Sequence, residues 1–315
     1  MTDTIASSET KTTQSGRFKS TKSFRDSGYW YFLIPGVVFF LFLIIMPFVA
    51  NIGISFTRWR GIGTPVWIGL DNYTKAFHDA VFWASFKNNL LLIFAMTIVP
   101  TVIGLVLAVV LYDYISQKFG PGWSSFFRAG FYLPQIVPIV VAAIVWRWIY
   151  QPDWGALNWF LTSIGLGAWT QNWLGNSSLA LPSVMVMLIW FQIGYPLVIF
   201  MAGLQRVDPQ IYEAAKIDGA SAFQTFFYVT IHMIRPEIAV VVLTTMIAAL
   251  KTFGPIYAMT SGGPGNATTV ASYFAWKNFF EISDVGYGST IATVLTVIVL
   301  VMTFFFLRVQ EQQEV

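Results

Sequence analysis

The sequence contains no cysteine and only two histidines, His78 and His232. Without cysteine the chain can form no disulfide, no thiolate metal site and no thiol nucleophile. The two histidines lie far apart in the sequence and lack the spacing of paired metal ligands, so a zinc centre is not expected. Charged residues make up only 10% of the chain and the net charge is +3. We therefore predict no metal site, and the weak charge does not indicate a nucleic-acid partner.

What the sequence has in abundance is apolar surface. Hydrophobic residues make up 56% of the chain, aromatic residues 17%, and the mean hydropathy is +0.64. A soluble domain of this length would need more charge, so the composition indicates a membrane protein. A helix needs about 20 mostly apolar residues to cross the hydrocarbon core. Six stretches meet this requirement and predict an all-α membrane protein with six transmembrane helices: Trp30–Phe56, Leu90–Tyr112, Gly130–Tyr150, Leu179–Leu204, Ile238–Tyr257 and Tyr287–Leu307.

The two tails of the chain are polar. Residues 1–28 are rich in Ser, Thr and Lys and predict a disordered segment, and residues 309–315 form a second, short tail. The six-helix domain then covers residues 29–308. Most Lys and Arg residues outside the spans lie in the tails and in the second and fourth connections. Because basic residues collect on the cytoplasmic side, we expect both tails and the fourth connection to be cytoplasmic.

The fourth connection predicts two short helices separated by a tight turn. Asp208 is a good N-cap and Pro209 suits the first helical position. Gly219 can adopt the left-handed conformation that ends a helix. Ser221 then begins a second helix, with Gln224 completing a capping box. The stretch carries a single lysine, which favours docking into a protein groove over lying on lipid headgroups, although both interpretations stay open.

The motif Glu213-Ala214-Ala215, followed by Asp218-Gly219-Ala220, resembles the EAA motif of ABC importer permeases. The resemblance is in particular to the carbohydrate-uptake group related to maltose and glycerol-3-phosphate permeases. It extends to WRWIYQPDWGALN at residues 146–158 and to TSGGP at residues 260–264, and covers roughly residues 29–308. The resemblance implies the type I importer permease fold, that of a binding-protein-dependent transport inner-membrane component. It also implies that residues 208–232 are coupling helices that dock into an ATPase.

Two residues depart from the family pattern. The family usually has proline where His232 stands, so the second coupling helix is expected to continue towards Arg235-Pro236. The family often has an acidic residue where Gly254 stands, so any role of that acid is absent from this chain.

The resemblance implies a subunit that works with other chains. The sequence contains no GxxxxGK[ST] phosphate-binding loop, so we expect ATP and Mg to be bound by a separate ATPase, and this chain to be no enzyme and to bind no cofactor. The implied partners are a second permease subunit, a dimer of ATP-binding cassette ATPases, an extracytoplasmic solute-binding protein and membrane lipid. The implied solute is a sugar or oligosaccharide.

Other functions stay open at this stage. The same architecture could import a glycerophosphate or a polyol. A secondary transporter would need carboxylates within the membrane for ion coupling, and none of the Asp or Glu residues falls clearly within a span. An intramembrane enzyme would need a convergent acid–base or metal site, for which the sequence offers no candidate.

Candidate residues for the solute path are polar groups in or beside the spans. Each also has a structural interpretation, because amides join helices and lysine can extend to the interface or bind a free carbonyl. The candidates are Asn88, Asn89, Gln192, Tyr195 and Lys251.

Glycine and proline mark two further places. Gly262, Gly263 and Pro264 predict an outer loop or gate, or equally a plain turn. Pro134 and Pro138 predict ordinary kinks, or alternatively kinks that shape a central cavity.

Overall fold

The computed structural model describes residues 30–311, so the predicted tail at residues 1–28 lies outside it, as do residues 312–315. The chain divides into two compact units, residues 1–50 and 51–315, and each is described by itself. Within the first unit, residues 31–50 belong to helix α1 (Tyr31–Ser55). Most of its side chains are exposed, as suits an apolar helix with lipid around it.

The second unit contains twelve helices within its described residues, almost all joined by short connections. They are α2 (Asp71–His78), α3 (Ala80–Phe119), α4 (Pro121–Ile136), α5 (Ile139–Ile149), α6 (Ala156–Ser163), α7 (Ala180–Leu204), α8 (Pro209–Ile217), α9 (Ala222–Met233), α10 (Arg235–Leu250), α11 (Gly254–Met259), α12 (Ala271–Phe280) and α13 (Val285–Glu311). A 3-10 turn covers Gly167–Trp169.

The strand content is one small hairpin in the described part of the chain. Strand β1 (Thr57–Arg58) pairs antiparallel with β2 (Val66–Trp67), with Thr57 opposite Trp67. The fold is therefore all-α, as predicted.

The span count agrees with the prediction of six when bent helices are counted as single spans. Helices α1, α3, α7 and α13 are each long and apolar enough to cross a membrane. The pairs α4/α5 and α9/α10 pass the same test only as pairs, and they bend by 95° and 71°.

Two of the predicted spans are not continuous helices. The predicted span Gly130–Tyr150 is wrong as one helix, because the chain breaks between α4 and α5, where Pro138 cannot donate a backbone hydrogen bond. Pro134 lies inside α4 without ending it. The predicted span Ile238–Tyr257 is also wrong, because α10 stops at Leu250 and α11 starts at Gly254.

The core of the second unit consists of three clusters of buried apolar side chains. The first joins α3, α5, α7 and α11 and includes Leu92, Met187 and Ile256. The second, around Tyr287, joins α2, α3, α12 and α13. The third, around Phe200, joins α3, α7 and α10.

The approach of α3 to α7 depends on one small residue. A Cβ atom at Gly104 would lie 2.7 Å from Pro196 Cβ and 3.0 Å from the Leu197 nitrogen. These two helices can therefore pack at this distance only because position 104 lacks a side chain.

Candidate functional site: the coupling helices and a cavity at two helix breaks

Helix α8 begins and ends on the residues that the sequence marks. The Asp208 carboxylate accepts a hydrogen bond of 2.9 Å from the Gln210 N–H. At the other end Gly219 has φ +77°, and its N–H donates to the Lys216 carbonyl at 3.1 Å. The Ala220 N–H donates to the Ala215 carbonyl at 3.0 Å, which completes a Schellman motif.

Helix α9 begins with the predicted capping box. The Ser221 N–H donates to Gln224 Oε1 at 2.8 Å, and Ser221 Oγ accepts from the Gln224 N–H at 3.3 Å. The helix continues through His232 to Met233, as expected where proline is absent. It stops at Ile234, directly before Arg235-Pro236, and the chain then turns into α10.

The two short helices expose several apolar side chains, while Phe226 and Ile231 pack against the third core cluster. Ile217 is 85% exposed, Phe223 72% and Tyr228 74%, and we call these three the coupling surface. Exposed apolar side chains on a segment between two long apolar helices are available for contact with a partner protein or with lipid. The motif residues lie beside them: Glu213, Ala214, Asp218 and Gly219 are exposed, and Ala215 and Ala220 are half-buried.

Helices α8 and α9 are tied to each other and to the adjoining spans. The Tyr212 hydroxyl donates to Thr230 Oγ1 at 3.4 Å. Burial raises the pKa of the Tyr212 phenol above its ordinary value, so the group stays protonated and able to donate. Arg206, just after α7, forms an ion pair with Glu237 in the first turn of α10.

A cavity of about 560 Å³ lies where the break between α4 and α5 meets the break between α10 and α11. One wall is the break between α4 and α5 and the other is the break between α10 and α11. Its lining mixes apolar groups with amide, hydroxyl and ammonium groups: Met96, Gln135, Ile136, Val137, Pro138, Ile139, Phe191, Gln192, Ala248, Lys251, Thr252, Phe253, Gly254 and Pro255.

Gly254 sets how closely the two breaks approach. A Cβ atom at this position would lie 2.8 Å from Val140 Cγ2 on α5. Any side chain at this position would therefore require Val140 to move. The absence of a side chain lets α11 pack directly on α5 beside the cavity.

Lys251 and Gln192 are the two predicted path residues that the structure places in this cavity. Lys251 follows the last residue of α10 and its side chain is exposed, whereas Gln192 on α7 is buried. Within residues 30–311, no carboxylate pairs with the Lys251 ammonium. An ammonium group within a membrane-spanning region is a functional candidate by default.

The other three predicted path residues hold parts of the fold together. Asn88 Nδ2 donates to the carbonyls of Ala267 and Thr269 at 3.1 and 2.8 Å. The Tyr195 hydroxyl lies 3.1 Å from Thr244 Oγ1 and joins α7 to α10.

Asn89 makes three backbone contacts. Its Nδ2 atom donates to the carbonyls of Ala249 and Leu250 at 3.4 and 3.2 Å, and its Oδ1 atom accepts from the Ala271 N–H at 2.9 Å. These contacts favour the helix-joining interpretation for the asparagines, and a solute contact stays a prediction.

The glycine-rich loop after α11 is firmly held. Gly262 has φ +75°, and a Cβ atom there would lie 2.5 Å from Tyr273 Cε1, so two constraints require glycine. The Thr269 hydroxyl donates to the Gly262 carbonyl at 3.1 Å, and the Thr268 hydroxyl donates to the Gly263 carbonyl at 2.9 Å. Its role as an outer loop or gate stays a prediction, as does the place of Pro264 in it.

Sequence reasoning missed a row of aromatic rings that starts at the cavity. Phe253 stacks on Tyr257 with centroids 5.5 Å apart, and Trp276 meets Tyr257 edge-on at 5.0 Å. Phe280, which is exposed, lies 5.9 Å from Trp276. The rings come from both α11 and α12, so spacing along the chain gives no sign of the row. Gln135 and Thr252 were missed because only the packing of distant segments brings them to the cavity.

The described residues contain no group of three or more His, Asp or Glu side chains that could hold a metal. The candidate site consists of two features: the cavity, which is lined by polar and aromatic groups, and the exposed apolar coupling surface. Helices α7 and α10 reach both of them.

Comparisons with known proteins place these features in a family. Residues 118–313 match the family described as "Binding-protein-dependent transport system inner membrane component". The chain is 36% identical to the probable ABC transporter permease protein YurN of Bacillus subtilis, over 84% of this chain and 90% of that protein. It is 34% identical to the diacetylchitobiose uptake system permease protein NgcF of Streptomyces coelicolor, over 82% of this chain and 75% of that protein.

The fold also matches a solved structure. A chain from the crystal structure of a bacterial ABC transporter involved in the import of the acidic polysaccharide alginate superimposes with a TM-score of 0.77 at 23% identity. The match covers 91% of this chain and 96% of that chain. The chain belongs to the family of binding-protein-dependent transport system inner membrane components, the multi-pass membrane permeases of ABC transporters.

Proposed function

We propose that this chain is one of two permease subunits of an ATP-driven importer of a sugar or oligosaccharide. An extracytoplasmic binding protein delivers the solute, and a dimer of ATPases on the cytoplasmic side supplies the energy. The chain itself binds neither ATP nor Mg. Both termini lie in the cytoplasm, as the distribution of Lys and Arg indicates.

The observation that carries this proposal is the position of the coupling surface. Ile217, Phe223 and Tyr228 lie between α7 and α10 in the sequence. Gln192, midway along α7, and Lys251, directly after α10, line the cavity. A partner bound to the coupling surface is therefore joined to the cavity by two membrane-spanning helices.

The proposed mechanism is rigid-body gating. Closure of the ATPase dimer moves α8 and α9, and α7 and α10 move with them. The cavity then opens alternately to the two sides of the membrane, which is how hinged and rocking domains provide alternating access.

A sugar suits the groups that line the cavity and the surface beside it. Gln135, Gln192 and Thr252 offer amide and hydroxyl groups for hydrogen bonds with solute hydroxyls. The aromatic row leads from Phe253, in the cavity wall, to the exposed Phe280 and offers flat apolar surface for sugar rings. The relative from Streptomyces coelicolor is, by its name, a permease for a disaccharide.

A glycerophosphate or another acidic solute is the second candidate. The observation in its favour is the Lys251 ammonium, which has no carboxylate partner in the described part of the chain. A phosphate or carboxylate on the solute would supply the missing negative charge.

Reconstitution tests the proposal. The chain is purified with the subunits encoded beside it and placed in liposomes with ATP inside and the binding protein outside. Radiolabelled maltotriose, diacetylchitobiose, xylose and glycerol-3-phosphate serve as probes. We expect ATP-dependent accumulation of at least one neutral sugar.

The possible outcomes separate the candidates. Accumulation of glycerol-3-phosphate alone would replace the sugar by the acidic solute. Transport by this chain alone, without ATP and driven by an ion gradient, would contradict the importer assignment and indicate a secondary transporter.

A further inference from the structure

The ion pair between Arg206 and Glu237 brackets the coupling helices. Arg206 lies between the end of α7 and the N-cap of α8, and Glu237 lies in the first turn of α10, after the bend at Ile234. The pair therefore joins the two chain ends from which α8 and α9 emerge.

Glu237 is buried, which makes its partner necessary. The residue is 8% exposed, whereas the Arg206 side chain is 73% exposed. A buried carboxylate without a partner is costly, and Arg206 provides the positive charge that pairs with Glu237. An acidic residue near a helix N-terminus also interacts favourably with the helix dipole, but that interaction needs no arginine.

The space around Glu237 exists because position 203 is glycine. A Cβ atom at Gly203 would lie 2.9 Å from Glu237 Cγ and 3.0 Å from its Cδ. Glu237 thus lies directly against the last turn of α7, and the ion pair and this close contact join α7 to α10 at the same level. Farther along the same helices, the hydroxyls of Tyr195 and Thr244 form a second link.

We propose that Arg206 and Glu237 are positioning residues that make α7, α10 and the coupling helices move as one body. This inference rests on the proposed function. Without the pair, the ATPase still moves α8 and α9, but the movement is absorbed where they join α7 and α10. Gln192 and Lys251 in the cavity then no longer follow ATP hydrolysis.

The absence of cysteine allows a direct test in the complete complex. A single reporter, Ala248→Cys, places a thiol in the cavity lining. Its labelling by a membrane-impermeant maleimide is followed on this chain in proteoliposomes, with and without ATP, Mg and vanadate. The variants are Glu237→Gln, Arg206→Gln, the double variant and the conservative Arg206→Lys. Arg235→Gln is the control for charge loss at an exposed neighbouring arginine.

With the ion pair intact, we expect ATP to change the labelling rate of the Ala248→Cys reporter by at least about fivefold. This is the lower end of typical coupling between sites. Glu237→Gln and Arg206→Gln should each abolish that difference while ATP hydrolysis continues, and the double variant should be no worse. Arg206→Lys should keep most of the response, and Arg235→Gln should keep all of it.

Three results would contradict the proposal, each for a different reason. An unchanged ATP response in Glu237→Gln overturns the positioning role. Loss of the ATPase on purification with Arg206→Gln alone also overturns it, because Arg206 would then be a docking residue. If the complex with the intact pair shows no ATP response, the importer assignment fails, and the positioning role, which rests on it, fails with it.

Discussion

The coupling helices and the cavity are determined by different kinds of interaction. Each turn of the coupling helices is set by residues a few positions apart, as with the hydrogen bonds between Ser221 and Gln224. The cavity is set by residues far apart in the sequence, as with Gly254 against Val140. The coupling helices should therefore tolerate changes made elsewhere, whereas the cavity should respond to any loss of long-range contact.

The largest effect is expected at Asn89, because it holds the end of α10 to the start of α12. Asn89→Ala leaves the Leu250 carbonyl and the Ala271 N–H without the Asn89 amide, and it removes one of the two donors to the Ala249 carbonyl. We expect a loss of about 2 kcal/mol or more in stability, seen as a lower thermal midpoint of the complex in detergent.

The matched control is Asn176→Ala, whose bonds are local and exposed. Its midpoint should hardly change. Equal midpoints for the two variants would show that long-range bonds do not dominate the cavity.

The next largest effect is expected at Gly219, where φ is +77° and no neighbouring atom lies within 4 Å of an added Cβ. Gly219→Val forces a β-branched residue into the left-handed region at a cost of about 1–2 kcal/mol. Uptake should fall by about tenfold while the subunits still assemble. Gly219→Asn should retain most uptake, since asparagine tolerates this conformation.

Gly63→Val is the control for strain alone, because Gly63 has φ +76° and open space, and lies in the β1–β2 hairpin. Uptake by this variant should stay close to normal. Normal uptake with Gly219→Val at normal expression would contradict the role given to this turn.

A smaller effect is expected at Lys251 in the cavity. Lys251→Met removes the ammonium, and an acidic probe such as glycerol-3-phosphate should lose about fivefold in uptake, the value of one hydrogen bond of about 1 kcal/mol. Neutral sugars should change less. Lys277→Met is the control at another lysine. Equal losses of acidic and neutral solute uptake in Lys251→Met would show that Lys251 does not select solutes by charge.

The smallest effect is expected at the cap of α9. Ser221→Ala removes a capping side chain and should cost about 1 kcal/mol. Because the effect is local, amide hydrogen exchange should rise about fivefold in residues 222–233 and stay unchanged around the cavity. Ser221→Asp should preserve the cap, and a global rise in exchange would show that α9 is not a local unit.

The same division explains what the sequence could and could not predict. The caps at Asp208, Gly219 and Ser221 were predicted correctly because their signals span only a few residues. The apolar runs predicted the fold class for the same reason.

The break near Lys251 was missed because an apolar run reads the same whether its helix is straight or interrupted, whereas Pro138 signalled a kink but not a bend of 95°. Gln135 and Phe253 were missed because only packing brings them to the cavity. The backbone contacts of Asn88 and Asn89 likewise join segments far apart in the sequence.

The proposed function depends most directly on docking of the ATPase by Ile217, Phe223 and Tyr228. The most direct measurement replaces all three by serine and determines which subunits co-purify with the chain, with Ile62→Ser, at a 90% exposed residue in the hairpin connection, as the control. We predict that the second permease stays bound and the ATPase is lost, while the control keeps both. Retention of the ATPase with normal ATP-dependent uptake in the triple variant would contradict the claim.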